Sequence, residues 1–202
     1  MSLLDSGEEE KARKIRSVSD RRLYLLSRIL LRSALSEMFG GRPDAWRFIT
    51  DEMGKVKLAN SPGLKCVDFS VSHTQGAAAV AICQGGRVGV DLEHLGTDLS
   101  PASIQHVFSP NELALLRTKS GEPLRKETLR LWTAKEAYSK YQGLGFHSDF
   151  AAIDTTDLTD NVHLETHEIK IGAEAYQLAV VTQRDLVIEK MTWDPPTASL
   201  MI

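Results

Sequence analysis

The sequence predicts an α+β fold made of two similar halves, and three observations carry that expectation. A long helical pattern followed by short alternating strands occurs twice along the 202 residues. Glycines punctuate both runs where the chain has to turn, at Gly40-Gly41, Gly85-Gly86 and Gly143. The pattern restarts after Gly96, so residues 1–95 are expected as an N-terminal half and residues 96–202 as a C-terminal half, joined near residues 94 to 100 with a cleft between them. The order of elements repeats; the residues do not.

Composition sets the frame. A chain of this length has room for one large or two small domains with a sizeable core. Its formal net charge of -3 argues against a general nucleic-acid binder, so any anion site has to come from local clustering. The two cysteines, Cys66 and Cys83, fall in apolar strand-like runs and are expected as buried free thiols. No secretory signal is visible and no apolar run approaches the roughly 20 residues that span a bilayer. No membrane contact is expected, and the cytoplasm is the expected compartment.

Residues 1 to 10 are polar, end in Glu8-Glu9-Glu10 and read as a frayed start. The basic run that follows, Lys11, Arg13, Lys14, Arg16, Arg21 and Arg22, has the character of a solvated helix face. From Ser19 or Asp20 as N-cap a helix is expected to about Phe39, with Leu23, Leu26, Leu30, Ala34 and Met38 on its apolar side and Arg21, Arg28 and Arg32 opposite. Those guanidinium groups either grip phosphates or keep the helix soluble. Residues 41 to 60 read as loop, with Trp46 and Phe48 as packing anchors and Gly54-Lys55 turning into a short strand. Val67, Phe69 and Val71 alternate as a strand whose end carries Ser72-His73, either a turn-former beside a surface histidine or a donor pair aimed at an anion. Two glycine turns then lead through Ala77 to Cys83 into Val88-Gly89-Val90-Asp91-Leu92-Glu93.

In the second half, Ser109-Pro110-Asn111-Glu112 reads as a helix start, with Leu113, Leu115 and Leu116 as its contacts. Gly121-Glu122-Pro123 separates it from a longer helix that Gly143 and Gly145 end. Strands are expected around residues 162 to 171, 174 to 182 and 186 to 193, and an extended tail from Trp193-Asp194-Pro195-Pro196.

The chemistry-bearing residues sit on two of these elements. Asp91 and Glu93, two apart on a strand, project from one side, while Glu136 and Lys140, four apart on the helix, share a face. Taken singly, the helix pair is ordinary surface decoration and Asp-x-Glu an ordinary solvated edge. Both segments, however, are set in apolar surroundings, Val88, Val90 and Leu92 on the strand and Trp132 and Tyr138 on the helix. Acids held together near a core raise one another's pKa unless a cation compensates. Oxygen donors without His or Cys suit a hard ion such as Mg²⁺.

Gly89-Val90-Asp91-Leu92-Glu93 together with Trp132-Thr133-Ala134-Lys135-Glu136-Ala137-Tyr138-Ser139-Lys140 resembles the paired signature of the 4′-phosphopantetheinyl transferases, in their Sfp-type branch. Gly54-Lys55, Phe69-Ser70-Val71-Ser72-His73 and Phe108-Ser109-x-x-Glu112 extend the resemblance in order, from about residue 20 to residue 145. Val56 stands where the family often has proline, and Ser70 where it commonly has asparagine. The fold that the resemblance implies is a pseudo-twofold pair of α+β halves with the active site in the cleft between them.

The activity it implies is transfer of the 4′-phosphopantetheine arm from coenzyme A to a serine of an apo acyl or peptidyl carrier protein, releasing 3′,5′-ADP. By the resemblance, Asp91, Glu93 and Glu136 hold Mg²⁺ (Mn²⁺ being the alternative ion) at the pyrophosphate, and Lys140 contacts the same group. Arg22, Lys55, Ser72, His73 and Lys135 would hold coenzyme phosphates, the 3′-phosphate falling to Ser72 and His73. The general base is either Glu136 itself or a water oriented by Glu112, although Glu112 also reads as a helix-start carboxylate. Apolar side chains between Leu113 and Phe146 are expected to form part of the carrier surface, and a monomer is expected. Two other classes compete. Asp154 or Asp157 followed by Glu168-Ile169-Lys170 mimics the acids and lysine of metal-dependent nucleases, and a non-catalytic coenzyme- or carrier-binding module would keep the same motifs.

Overall fold

The computed structural model describes residues 3–52, 54–59, 66–100, 104–144, 149–158, 161–184, 186, 188 and 189. Within the stretch read from sequence as frayed, Ser6 to Glu10 are helical. Asp5 caps helix α1 (Ser6–Lys14) through a reciprocal capping box with Glu8, and Lys14 pairs with Glu10 along its exposed side.

Helix α2 (Val18–Phe39) begins at Ser17, whose hydroxyl accepts from Asp20 N, and ends at Gly40. Its buried residues are Tyr24, Leu25, Ser27, Ile29, Leu31, Arg32 and Leu35, whereas Met38 is exposed, so the apolar face expected from Leu23 to Met38 is rotated. The cause is that α2 serves two neighbours. Tyr24 and Leu25 pack with Ala12 of α1, while Leu31 and Leu35 pack with Phe69, bordered by Trp46 and Phe48. Arg32, expected on the solvent side, is fully buried against Glu8 and Asp5 at 2.6 and 3.0 Å and ties α1 to α2.

Strands β1 (Phe48–Thr50) and β2 (Val56–Leu58) form a small hairpin around Gly54. Strands β3 (Val67–Thr74) and β4 (Ala77–Gln84) form a second antiparallel pair. Strand β3 continues through Ser72 and His73, and the turn comes later, at Gln75-Gly76. Strand β5 (Val88–His94) pairs with β7 (Glu174–Gln183), which pairs with β6 (Val162–Ile171), all antiparallel in the order β5-β7-β6. The sequence reading put β5 in the first half; its backbone ladder is with β7 of the second. Cys83 is buried, but Cys66 is exposed, against the expectation for both thiols.

Helix α3 (Pro110–Arg117) starts at Ser109, as its sequence predicts, and a capping box with Glu112 closes that start. Helix α4 (Gly121–Gln142) already includes Gly121-Glu122-Pro123 in its first turn, where a proline displaces no intrahelical hydrogen bond, and ends at left-handed Gly143. It lies across β5 and β7, with Ala137 and Tyr141 packed on Ala179 and Val181. The third strand expected over 186 to 193, the tail after it and the stop at Gly145 lie largely outside the described residues. Among the described residues no helix is long and apolar enough to cross a membrane.

Candidate active site

The face of β3 that does not enter the core is polar, and it supplies the join to β5. Asp68 accepts from Val88 N at 3.0 Å and Ser70 from Val90 N at 3.0 Å. Ser72 donates to Asp91 Oδ1 at 2.7 Å, and Thr74 approaches Glu93 Oε2 at 3.4 Å. These partners rise together in number, so β3 and β5 run side by side in the same direction and side chains take the place of a backbone ladder. The alternation Asp68-Ser70-Ser72-Thr74 was visible in the sequence; which strand it faces was not.

Helix α4 packs on the face of β5 that carries Gly89 and Asp91. At Gly89 an added Cβ would lie 2.0 Å from Ala137 O and 2.6 Å from Tyr141 N, so glycine is what lets strand and helix backbones approach this closely. Asp91 lies two residues beyond this crossing and Glu136 next to it. Burial first, and Asp91 second, raise the carboxyl pKa of both Glu93 and Glu136 above the ordinary 4.5, while the Lys140 ammonium opposes the shift in each. That mutual influence is the electrostatic signature of the acids sharing one locus. Trp132 Nε1 points at Glu93 Oε1 from 3.4 Å.

Asp91 is the centre of the group at 4% exposure. Its Oδ1 receives Ser72 Oγ and Lys140 Nζ, each at 2.7 Å. Its Oδ2 is buried and has no hydrogen-bond partner. A buried carboxylate oxygen without a donor is costly in a protein alone and is satisfied by a cation, so the donor set fits a hard divalent ion. Among the described residues no group of three or more His, Cys, Asp or Glu side chains is already drawn into metal-holding geometry. Lys140 instead neutralises Asp91 directly at 2.7 Å, and its charge also reaches Glu93 and Glu136. A cavity of about 370 Å³ beside His94, Thr97, Arg125, Lys126 and Glu174 lies at the end of β5 and contains none of these acids.

The expected phosphate ligands are placed unequally. Arg22 and His73 are exposed. Desolvation and then the Lys140 charge lower the His73 imidazole pKa, which puts His73 within electrostatic reach of the site. Ser72 is buried on Asp91, and since neighbouring strand residues point to opposite faces, it does not act with His73 as an adjacent donor pair. Lys55 is paired with Asp68 at 2.7 Å.

Two expectations require correction. Lys135 is fully buried and bound to Glu112 Oε2 at 2.6 Å, so it offers no ammonium to a coenzyme. Glu112 is likewise enclosed, its oxygens taken by Lys135, Ser109 N and Thr155, which leaves none to orient a water for catalysis. In the nuclease pattern, Asp154 and Glu168 each have a different partner. Asp154 is held by Asn111 and Thr156, and Glu168 by Lys126, each in its own exposed contact.

Comparison with known proteins bears on the same segments. Residues 87–188 match the family model described as 4′-phosphopantetheinyl transferase superfamily, and residues 1–84 the model described as 4′-phosphopantetheinyl transferase, N-terminal. The 4′-phosphopantetheinyl transferase HetI of Nostoc sp. is 33% identical over 143 residues, which is 70% of this chain and 60% of that protein. The 4′-phosphopantetheinyl transferases ffp and Sfp of Bacillus subtilis are each 26% identical, over 95% and 89% of this chain and 88% and 82% of theirs. A solved chain titled Chronobacterium ammoiniagenes apo-ACPS superposes on 49% of this chain and 97% of its own, with TM-score 0.35 and 22% identity, too loosely to bear on the site.

Proposed function

This chain belongs to the 4′-phosphopantetheinyl transferase superfamily, in its Sfp-type branch, and from that premise we propose that it moves 4′-phosphopantetheine from coenzyme A to a serine of an apo carrier protein. The observation that carries the reading is Asp91, buried at the strand–helix crossing with Lys140 and Ser72 on one carboxylate oxygen and no hydrogen-bond partner on the other. The serine hydroxyl of the partner forms a new O–P bond to the β-phosphorus of the coenzyme, the bond to the bridging pyrophosphate oxygen breaks, and 3′,5′-ADP leaves with the electron pair.

Asp91, Glu93 and Glu136 are the residues that would hold Mg²⁺ or Mn²⁺. What the ion supplies when bound is neutralisation of charge on the pyrophosphate. Lys140 moves from Asp91 to the departing phosphate, whose charge grows as the bond breaks. Glu136 takes the serine proton as general base. Arg22 and, beside Asp68, Lys55 supply positive charge for the coenzyme's phosphates, and His73, its imidazole pKa lowered, serves as a neutral hydrogen-bond donor. The same reading has the protein act as a monomer in the cytoplasm; among the described residues both cysteines are free.

The test mixes the protein with coenzyme A, Mg²⁺ and an apo carrier domain and weighs the carrier by mass spectrometry. A gain equal to one phosphopantetheine is the expected result. A carrier of unchanged mass rejects the transferase and leaves a binding module.

A further inference from the structure

The ion pair between Lys135 of α4 and Glu112 of α3 takes no part in the chemistry above, and both side chains are fully enclosed. Lys135 Nζ lies 2.6 Å from Glu112 Oε2 and donates to Phe150 O at 2.8 Å and to Ile153 O. Glu112 Oε2 also accepts from Ser109 N at 2.8 Å, and Oε1 accepts from Thr155 N and Oγ1 at 2.9 and 2.7 Å. One ammonium and one carboxylate therefore tie together α4, the start of α3 and the segment from Phe150 to Thr155. That segment returns to the acids. The Phe150 ring stacks on Trp132 with centroids 5.7 Å apart and planes at 28°, and Trp132 Nε1 points at Glu93 Oε1 from 3.4 Å. Lys135 also directly precedes Glu136 in the helix.

We propose that Lys135 and Glu112 are positioning residues for the transfer reaction, holding Glu93 through Phe150 and Trp132, and Glu136 through the α4 backbone. The proposal rests on the transferase reading. An ion pair removed from water carries a large desolvation cost, and apolar packing joins elements at least as well. What the pair adds is direction: all three ammonium donors are committed, to Glu112 and to two carbonyls, so the backbone that carries Phe150 has one place to sit.

The test uses the full chain as Lys135→Met, Glu112→Gln and Phe150→Ala, the last of which interrupts the relay and leaves the ion pair in place. Steady-state transfer to an apo carrier domain and acrylamide quenching of Trp132 fluorescence are measured well below each melting temperature. The Trp132 signal is isolated by subtracting the emission of Trp132→Phe. The expected result is a kcat lower by about 10- to 100-fold, the cost of an ångström-scale misplacement, with the coenzyme KM within about threefold and Trp132 more readily quenched. If Lys135→Met does not fold, Phe150→Ala decides by the same two readouts. Variants that melt earlier yet keep wild-type kcat and quenching overturn positioning while the transferase reading stands. A wild-type protein that transfers nothing overturns both.

Discussion

Gly89 and Ala137 touch backbone to backbone: a side chain on Gly89 would begin 2.0 Å from the Ala137 carbonyl oxygen. The contact sets how close β5 lies to α4, and with it the separation of Asp91 and Glu136. Gly89→Ala is expected to force the elements apart, lowering stability by about 1–3 kcal/mol or more and reducing transfer beyond the loss of folded protein. Urea unfolding and specific activity per folded molecule measure the two effects. A variant matching wild type in both would show that the acids do not depend on this crossing.

Asp91→Asn keeps the shape of the side chain and removes its charge. Transfer is expected to fall by at least about 100-fold, because a cation ligand at the reacting phosphate is worth several kcal/mol. Addition of Mg²⁺ should raise the melting temperature of wild type and leave that of the variant unchanged. Full activity in Mg²⁺ would remove Asp91 from the metal site.

The raised pKa values of Glu93 and Glu136 set a sign for the dependence on pH. The folded protein keeps protons on these groups that the unfolded chain gives up near 4.5. Their contribution to stability is therefore fully present below pH 4.5 and is lost as pH rises through the higher folded values. In chelator, the melting temperature of wild type relative to a Glu93→Gln/Glu136→Gln double variant is expected to fall as pH rises. Mg²⁺ favours the charged carboxylates and should cancel the fall in wild type alone. Parallel melting curves for the two proteins at every pH would contradict the shared site.

Arg32 tests the first half of the molecule. It is fully buried, bound to Glu8 and Asp5, and donates to Pro43 O and Trp46 O at 2.8 and 2.9 Å. Arg32→Met strands the Glu8 carboxylate and is expected to cost about 3–5 kcal/mol. Arg32→Lys should recover little, since an ammonium cannot reproduce the planar fork that reaches acid and carbonyl together. Equilibrium unfolding reads the difference; a loss under about 1 kcal/mol would mean the pair is no stronger than a surface contact.

Local rules carried much of this into the sequence. Gly143 ends α4 in the left-handed conformation, Ser109 and Glu112 stand at the helix start that their residue types announce, and Val88, Val90 and Leu92 are buried as their alternation requires. Each depends on residues within about one turn or one strand, where backbone geometry settles the outcome. Glu136 and Lys140 share a face for the same reason, and Asp91 and Glu93 project from the same side of β5.

The identity of each cation's partner was settled only by folding. Arg32 and Lys135 look in sequence like any exposed helix cation, and Ser72 and His73 look like a pair. The burial of the first two, and the split between the second two, depend on which elements pack against theirs. That choice rests on contacts between residues far apart in the chain: Arg32 with Glu8, Lys135 with Glu112, Ser72 with Asp91. Sequence alone determined α3, α4, the strands from β2 onward and the acids on their faces, because those follow from periodicity and steric preference over a few residues. Tertiary structure alone decided that β5 joins the sheet of β6 and β7, that Gly89 lets α4 close on it, and which charges are buried, because burial and partnership are properties of surfaces that exist only once distant segments have met.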